Sequence, residues 1–105
     1  FSGVVEEVDE GDEIAKALGD KKVAILQNHG ILTTGPSVDI ALWFYMSMER
    51  CCQAQLMAEA AGKPISVSHE TAVKTREFIA NDIAAWASYQ PAFDKIVKMQ
   101  PDLLD

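Results

Sequence analysis

Apolar residues recur along the chain at two spacings, and the change of spacing marks out the elements. Val23 to Gln27 is a short apolar run of strand length, and Ile31 to Thr34 is a second, β-branched at three of its four positions. Asn28-His29-Gly30 joins them. An antiparallel hairpin with a bulge or a left-handed residue is expected, with Gly30 as the left-handed position. Gly3-Val4-Val5 reads as a further short strand. Asp12 is placed as the N-cap of a helix through IAKALG, ended by Gly19, with Glu13 and Lys16 suited to the two ends of its dipole. Gly35-Pro36-Ser37 stops the second strand, and Ser37 opens a long helix to about Ala61, with Gly62 and Pro64 beyond. Ser68 caps a third helix, in which Ala72, Arg76, Ile79, Ile83 and Trp86 share one face while Lys74, Glu77 and Asn81 fall elsewhere. Pro91 is expected to interrupt it, leaving Phe93 to Met99 as a short last helix before Pro101.

The first half of the long helix, VDIALWFYMSM, is apolar nearly all round. A surface helix shows a single stripe, so this one requires cover on more than one side, from its own sheet and from something else. Two or three strands cannot form a sheet covered on both faces. The remaining strands are expected upstream or in another chain. The opening FSGVVEE has neither an initiator methionine nor a signal-peptide pattern, and reads as the interior of a longer polypeptide.

Composition narrows the class. The chain has 105 residues, 49% of them hydrophobic, enough for one small domain and against disorder. Net charge is −7, with acidic residues gathered in EEVDEGDE and lysines scattered. Without a basic stripe, nucleic acid is not an expected partner. The longest apolar run, IALWFYM, is too short to span a bilayer, so no membrane partner is expected either. Cys51 and Cys52 are adjacent and point apart on a helix, which reads as reduced thiols in a cytoplasmic protein.

A histidine at a hairpin tip is by itself weak evidence for a site; most such side chains are surface or hydrogen-bonding groups. The context is more specific. ILQNHGILTTG followed by a long helix with its MERCCQAQL segment resembles the class II aldolase and adducin family. The resemblance covers about residues 3 to 62. It implies an α/β fold, layered α/β/α with a mainly antiparallel sheet. On that resemblance residues 1–105 are expected to be the C-terminal part of one such domain, with 1–62 the core-matching segment and 63–105 a helical tail. Active members resembling this pattern are zinc enzymes acting on small sugar phosphates, commonly as homo-oligomers. The family's metal is held by three histidines, and the one in the NHG hairpin falls on His29. The other two come from an HxH segment upstream in the family, as does the acidic acid/base residue.

A catalytic zinc needs about three protein ligands and an open position, where it serves as a Lewis acid. A ligand on a tight hairpin is held rigidly. Gly30 would let the backbone turn without crowding a metal, and Asn28 would support the turn, either by orienting the loop and the imidazole or simply by tolerating the left-handed conformation.

No HxH occurs in these 105 residues. The chain alone is therefore expected to be inactive, and the catalytic residues are unknown from it. The intact protein is expected to be a metal-dependent aldolase-type lyase, with a non-catalytic adducin-like interaction or assembly domain, bearing a cytoskeletal partner, as the alternative. Other candidates read as structural. His69 is a solvated or capping residue. Trp43, Phe44, Tyr45 and Met46 are core, with an oligomer contact as the functional alternative. Thr33 and Thr34 are strand residues, Glu49 and Glu59 lie on a solvated helix face, and Lys21-Lys22 is an exposed turn rather than a phosphate anchor.

Overall fold

The computed structural model describes residues 8–105; the strand expected at Gly3-Val4-Val5 lies outside them. The elements run α1 (Val8–Leu18), β1 (Val23–Leu26), β2 (Gly30–Thr33), α2 (Val38–Ala61), α3 (His69–Ile79), α4 (Asp82–Met99) and a short 3₁₀ turn at Pro101–Leu104. Helix α1 starts upstream of Asp12, which is therefore interior and not the cap. The helix carries Gly11 in its second turn, at a propensity cost of about 1 kcal/mol. Gly19 ends it at φ 54, in the left-handed region where a Cβ is costly.

β1 and β2 pair antiparallel, Val23 opposite Thr33 and Leu26 opposite Gly30. The Thr34 N–H donates to the Lys22 carbonyl at 2.9 Å, which sets the phase of the ladder. Val23, Ile25, Ile31 and Thr33 consequently turn their N–H and C=O groups outward, to edges unpaired among the described residues.

Helix α2 begins where expected. The Ser37 hydroxyl accepts from the Ile40 N–H at 3.4 Å, and Asp39 lies in the first turn. Gly62 follows its last residue and donates its N–H to the Ala58 carbonyl at 3.1 Å. Ile40 and Phe44, one turn apart, face the core with Ala85 of α4, and Val23, Trp43 and Ala80 pack around them. Ala85 is fully buried; its single methyl lets α2 and α4 approach closely. The second cover for α2 is thus α4 of the same chain. A third side is left open: Val38, Leu42 and Tyr45, spaced i, i+4, i+7, remain exposed. No helix among the described residues is long and apolar enough to cross a membrane.

The tail departs from expectation twice. The single helix after Ser68 divides at Ala80-Asn81 into α3 and α4. Asn81 caps both: its side-chain oxygen accepts from the Ala84 N–H at 2.9 Å, and its amide donates to the Phe78 carbonyl at 2.8 Å. The face of Ala72, Arg76, Ile79, Ile83 and Trp86 is exposed as a result, because the break rotates α4 and brings Ala85 inward. Nor does Pro91 stop α4, which continues to Met99. Proline removes one N–H and so frees the Ala87 carbonyl, but Ala87 is exposed to solvent, where an unpaired carbonyl costs little. Tyr89 and Phe93 bracket the proline as a tilted ring pair 6.4 Å apart, and Gln90 ties the same turn to α2 through the Asp39 carboxylate at 2.9 Å.

Candidate functional site

The hairpin tip is Gln27-Asn28-His29. The His29 N–H donates to the Leu26 carbonyl at 3.1 Å, closing a four-residue turn. Asn28 holds the left-handed conformation at φ 56. A positive φ at the third turn position is what type II turns require, and asparagine is among the few residues with a side chain that adopt it readily. The expectation for Gly30 is corrected here. Gly30 pairs with Leu26 as the first residue of β2, and its φ lies outside the left-handed region. The left-handed position moved two residues upstream because Asn28, not Gly30, stands inside the hydrogen-bonded turn. Among the described residues, beyond its chain neighbours, a Cβ on Gly30 would meet nothing within 4 Å, so its lack of a side chain serves neither turn geometry nor packing against them.

His29 is exposed at this tip. Its backbone is fixed from both sides, by the turn bond and by the strand pair that follows. The hairpin is in turn seated on α2. The Thr33 hydroxyl donates to the Ala41 carbonyl at 2.9 Å, which accounts for Thr33 structurally. Gly35 lies so close to the start of α2 that a Cβ there would sit 2.9 Å from both the Ala41 nitrogen and Ile40 Cγ2. The rigid support expected of a ligand-bearing hairpin is therefore built from Thr33, Gly35 and the first turn of α2.

The donor set is incomplete. Among the described residues, no three His, Cys, Asp or Glu side chains gather where they could hold a metal ion. His69 is the first residue of α3, exposed, beside a Ser68 hydroxyl that accepts from the Thr71 N–H at 3.2 Å. Glu49 and Glu59 lie exposed along α2, and Glu59 accepts a hydrogen bond from Gln55 at 2.7 Å. The chemistry of His29 suits zinc, for which an imidazole nitrogen is an ordinary ligand. One such donor at the tip accommodates a zinc ion only if at least two further ligands come from beyond the described residues.

Lys21 and Lys22 are not equivalent. Lys21 pairs with Asp20 at 2.6 Å on the surface. Lys22 reaches back to the α3–α4 corner, donating to Asp82 at 2.8 Å and to the Ala80 carbonyl at 3.1 Å, with its ammonium 4.7 Å from the Phe44 ring centre. It joins the base of the hairpin to the tail. Sequence reading missed this because the partners are some sixty positions apart, and no local spacing marks them.

The comparisons with known proteins agree with this geometry. The family model for the Class II Aldolase and Adducin N-terminal domain matches residues 3–56. Decarboxylase NovR of Streptomyces niveus is 39% identical over 103 residues, 98% of this chain and 38% of the relative. The 4-hydroxy-3-prenylphenylpyruvate oxygenase/4-hydroxy-3-prenylbenzoate synthase of Streptomyces roseochromogenus subsp. oscitans is 36% identical over 98% of this chain and 37% of its own length. Among solved structures, the L-fuculose 1-phosphate aldolase from Glaciozyma antarctica PI12 matches with a TM-score of 0.85 and 38% identity, over 91% of this chain and 39% of that one. The chain thus spans well under half the length of these relatives, and the alignments run through the helical tail as well as the hairpin. With the matched segment, the α/β architecture and the NHG hairpin seated on its long helix in agreement, the chain belongs to the class II aldolase and adducin family.

Proposed function

We propose that residues 1–105 form the His29-bearing part of one class II aldolase-type domain, and that the intact protein is a zinc-dependent lyase. In this reading it cleaves a carbon–carbon bond in a small phosphorylated sugar. The observation that carries it is His29 at the tip of a rigid hairpin, in a chain that matches an L-fuculose 1-phosphate aldolase at 38% identity. Zinc, when bound, supplies Lewis-acid stabilisation of the charge that develops on substrate oxygen. The residues of this chain do the holding. His29 gives one ligand, the Leu26–His29 turn with Asn28 at φ 56 fixes its backbone, and Thr33 and Gly35 lock the hairpin to α2. A Cβ on Gly30 would meet no described atom within 4 Å beyond its chain neighbours. The remaining ligands, the acid/base residue and the phosphate contacts belong to other parts of the polypeptide. The exposed stripe of Val38, Leu42 and Tyr45 supports assembly into a homo-oligomer.

A second reading has its own support. The two Streptomyces relatives, named a decarboxylase and an oxygenase/synthase of prenylated aromatic acids, align over 98% of this chain. Decarboxylation also breaks a carbon–carbon bond and leaves an electron pair that needs an electrophile. The same metal ligand would serve it with an aromatic oxo acid as substrate.

The test is metal analysis of the intact protein beside His29→Ala, followed by assays on a sugar-phosphate panel and on an aryl oxo acid. Stoichiometric zinc that falls at least about tenfold in the variant is expected, since even residues supporting a ligand cost about that much. Equal metal content in the two proteins removes His29 from the ligand set. Aldehyde release from sugar phosphates supports the lyase, and carbon dioxide release alone supports the second reading. A metal-free protein inactive on both leaves an adducin-like assembly role.

A further inference from the structure

We propose that the groove between the α1–β1 connection and the end of α3 is a binding site for a small amphipathic anion, with a phosphate or carboxylate head on a short apolar or aromatic body. The groove has a volume of about 620 Å³, within the range of small-molecule sites. Its apolar floor is Val23, Phe44 and Ala80, and its cationic border is Lys21, Lys22 and Arg76. Three of the chain's nine lysines and arginines thus meet at one groove, beside the carboxylates of Asp20 and Glu77, in a protein of net charge −7. An anion that displaces the Asp20 carboxylate is the ligand class these cations suit.

Each cation has a distinct place. Lys22 spends two of its three N–H donors on Asp82 and the Ala80 carbonyl, which fixes its charge over the Phe44 ring with one donor left. Lys21 pairs with the Asp20 carboxylate at 2.6 Å, with Arg76 lining the same groove. The hydrogen bond from Lys21 and then its charge hold the Asp20 carboxyl below its ordinary value, with a smaller contribution from Arg76. Asp20 therefore stands where the head of an anionic ligand would sit. It is easily displaced, because the Lys21 and Asp20 side chains are 70% and 88% exposed and such pairs are weak. Glu77 on the rim opposes an incoming anion. The groove opens at the Val23 end of the hairpin, and three strand steps of about 3.3 Å put it roughly 10 Å or more from the tip that carries His29. It is a separate site and does not depend on the lyase reading.

The experiment is an NMR titration of the ¹⁵N-labelled intact protein with phenyl phosphate, with inorganic phosphate and phenol as separate arms. Saturable shifts are expected at residues 20–23 and 76–81, with tighter binding of phenyl phosphate than of either half. Arg76→Gln, at an exposed helical position, should weaken binding about tenfold, the loss of one charge-assisted hydrogen bond. Asp20→Asn and Glu77→Gln should strengthen it, an outcome that misfolding would not produce. Shifts that fail to saturate at tens of millimolar, indifference to Arg76→Gln, or equal affinity for inorganic phosphate would each overturn the assignment.

Discussion

Replacing Gly35 by alanine tests the seat of the hairpin. The added Cβ would lie 2.9 Å from the Ala41 nitrogen, 2.9 Å from Ile40 Cγ2 and 3.2 Å from Ile40 Cβ. Non-bonded carbon contacts settle near 3.5–4.0 Å, so something must move by roughly half an ångström or more. Neither neighbour is free to do so. Ile40 is one of the buried core residues. The Ala41 backbone is pinned on both sides, its N–H donating to the Ser37 carbonyl at 3.0 Å and its carbonyl accepting from Thr33 at 2.9 Å. Overpacking of this kind costs about 1–3 kcal/mol. The stiffer unfolded chain of an alanine variant returns about 0.4–1 kcal/mol. A net loss of about 1.5 kcal/mol follows, equivalent to about 6–12 °C in melting temperature for a domain of this size. Urea denaturation followed by circular dichroism measures it as a lowered midpoint at unchanged slope. Gly11→Ala is the control, since a Cβ there, in the second turn of α1, meets nothing within 4 Å among the described residues, and it should stabilise by about 0.5–1 kcal/mol. A Gly35→Ala chain as stable as its parent would refute the close approach of hairpin and α2.

Phe44→Ala removes the largest buried side chain among the described residues and the ring under Lys22; at about 3–5 kcal/mol it should abolish the cooperative thermal transition and collapse the amide dispersion in NMR spectra. Asn81→Ala removes an acceptor for α4 and a donor for α3 together, for an expected loss of about 1–2 kcal/mol by urea titration. Asn81→Asp, which keeps only the acceptor, should fall between that variant and the parent. Asp20 should titrate below its ordinary 3.8, because Lys21 bonds and attracts its ionised form. A depressed folded value means that its contribution is present above the unfolded pKa and is lost as pH falls through the folded one. Carboxyl-detected NMR should therefore find a midpoint under 3.8 that returns to the ordinary range in Lys21→Ala.

The legible parts of the fold were those set by local chemistry. Ser37, Gly62 and the β-branched runs fixed α2 and the two strands, because caps and strand periods act within a few residues. The misread parts were settled over distance. Pro91 stays inside α4 because the helix is docked on α2 through Ala85 and Gln90, and docking outweighs a local penalty. The break at Asn81 was written in the sequence as a capping residue before Asp82, but the apolar period running across it from Ala72 to Trp86 concealed it. Lys22 carried no local mark at all. In the candidate site, His29 stood out through its resemblance to a family pattern rather than through any spacing, since one imidazole has no period. The absence of HxH told in advance that this chain holds one ligand at most from that set.

Gly30 separates what this chain needs from what the intact site needs. Turn geometry places its demand on Asn28, and Gly30 is the first residue of β2, opposite Leu26 and outside the left-handed region. A glycine in a strand weakens it by about 0.5–1 kcal/mol relative to alanine, and no atom within 4 Å blocks the larger residue. Gly30→Ala should therefore raise the stability of the chain by about that amount. In the intact protein the new methyl would stand beside His29, where zinc and substrate are proposed to sit. The expected pattern is a more stable protein with weaker metal retention or turnover, measured by urea midpoint and zinc content on the same preparation. A Gly30→Ala chain that loses stability would show that glycine is required by the turn after all, and would return the left-handed position to residue 30. A stable variant that keeps full zinc and activity would move the site away from this side of the tip.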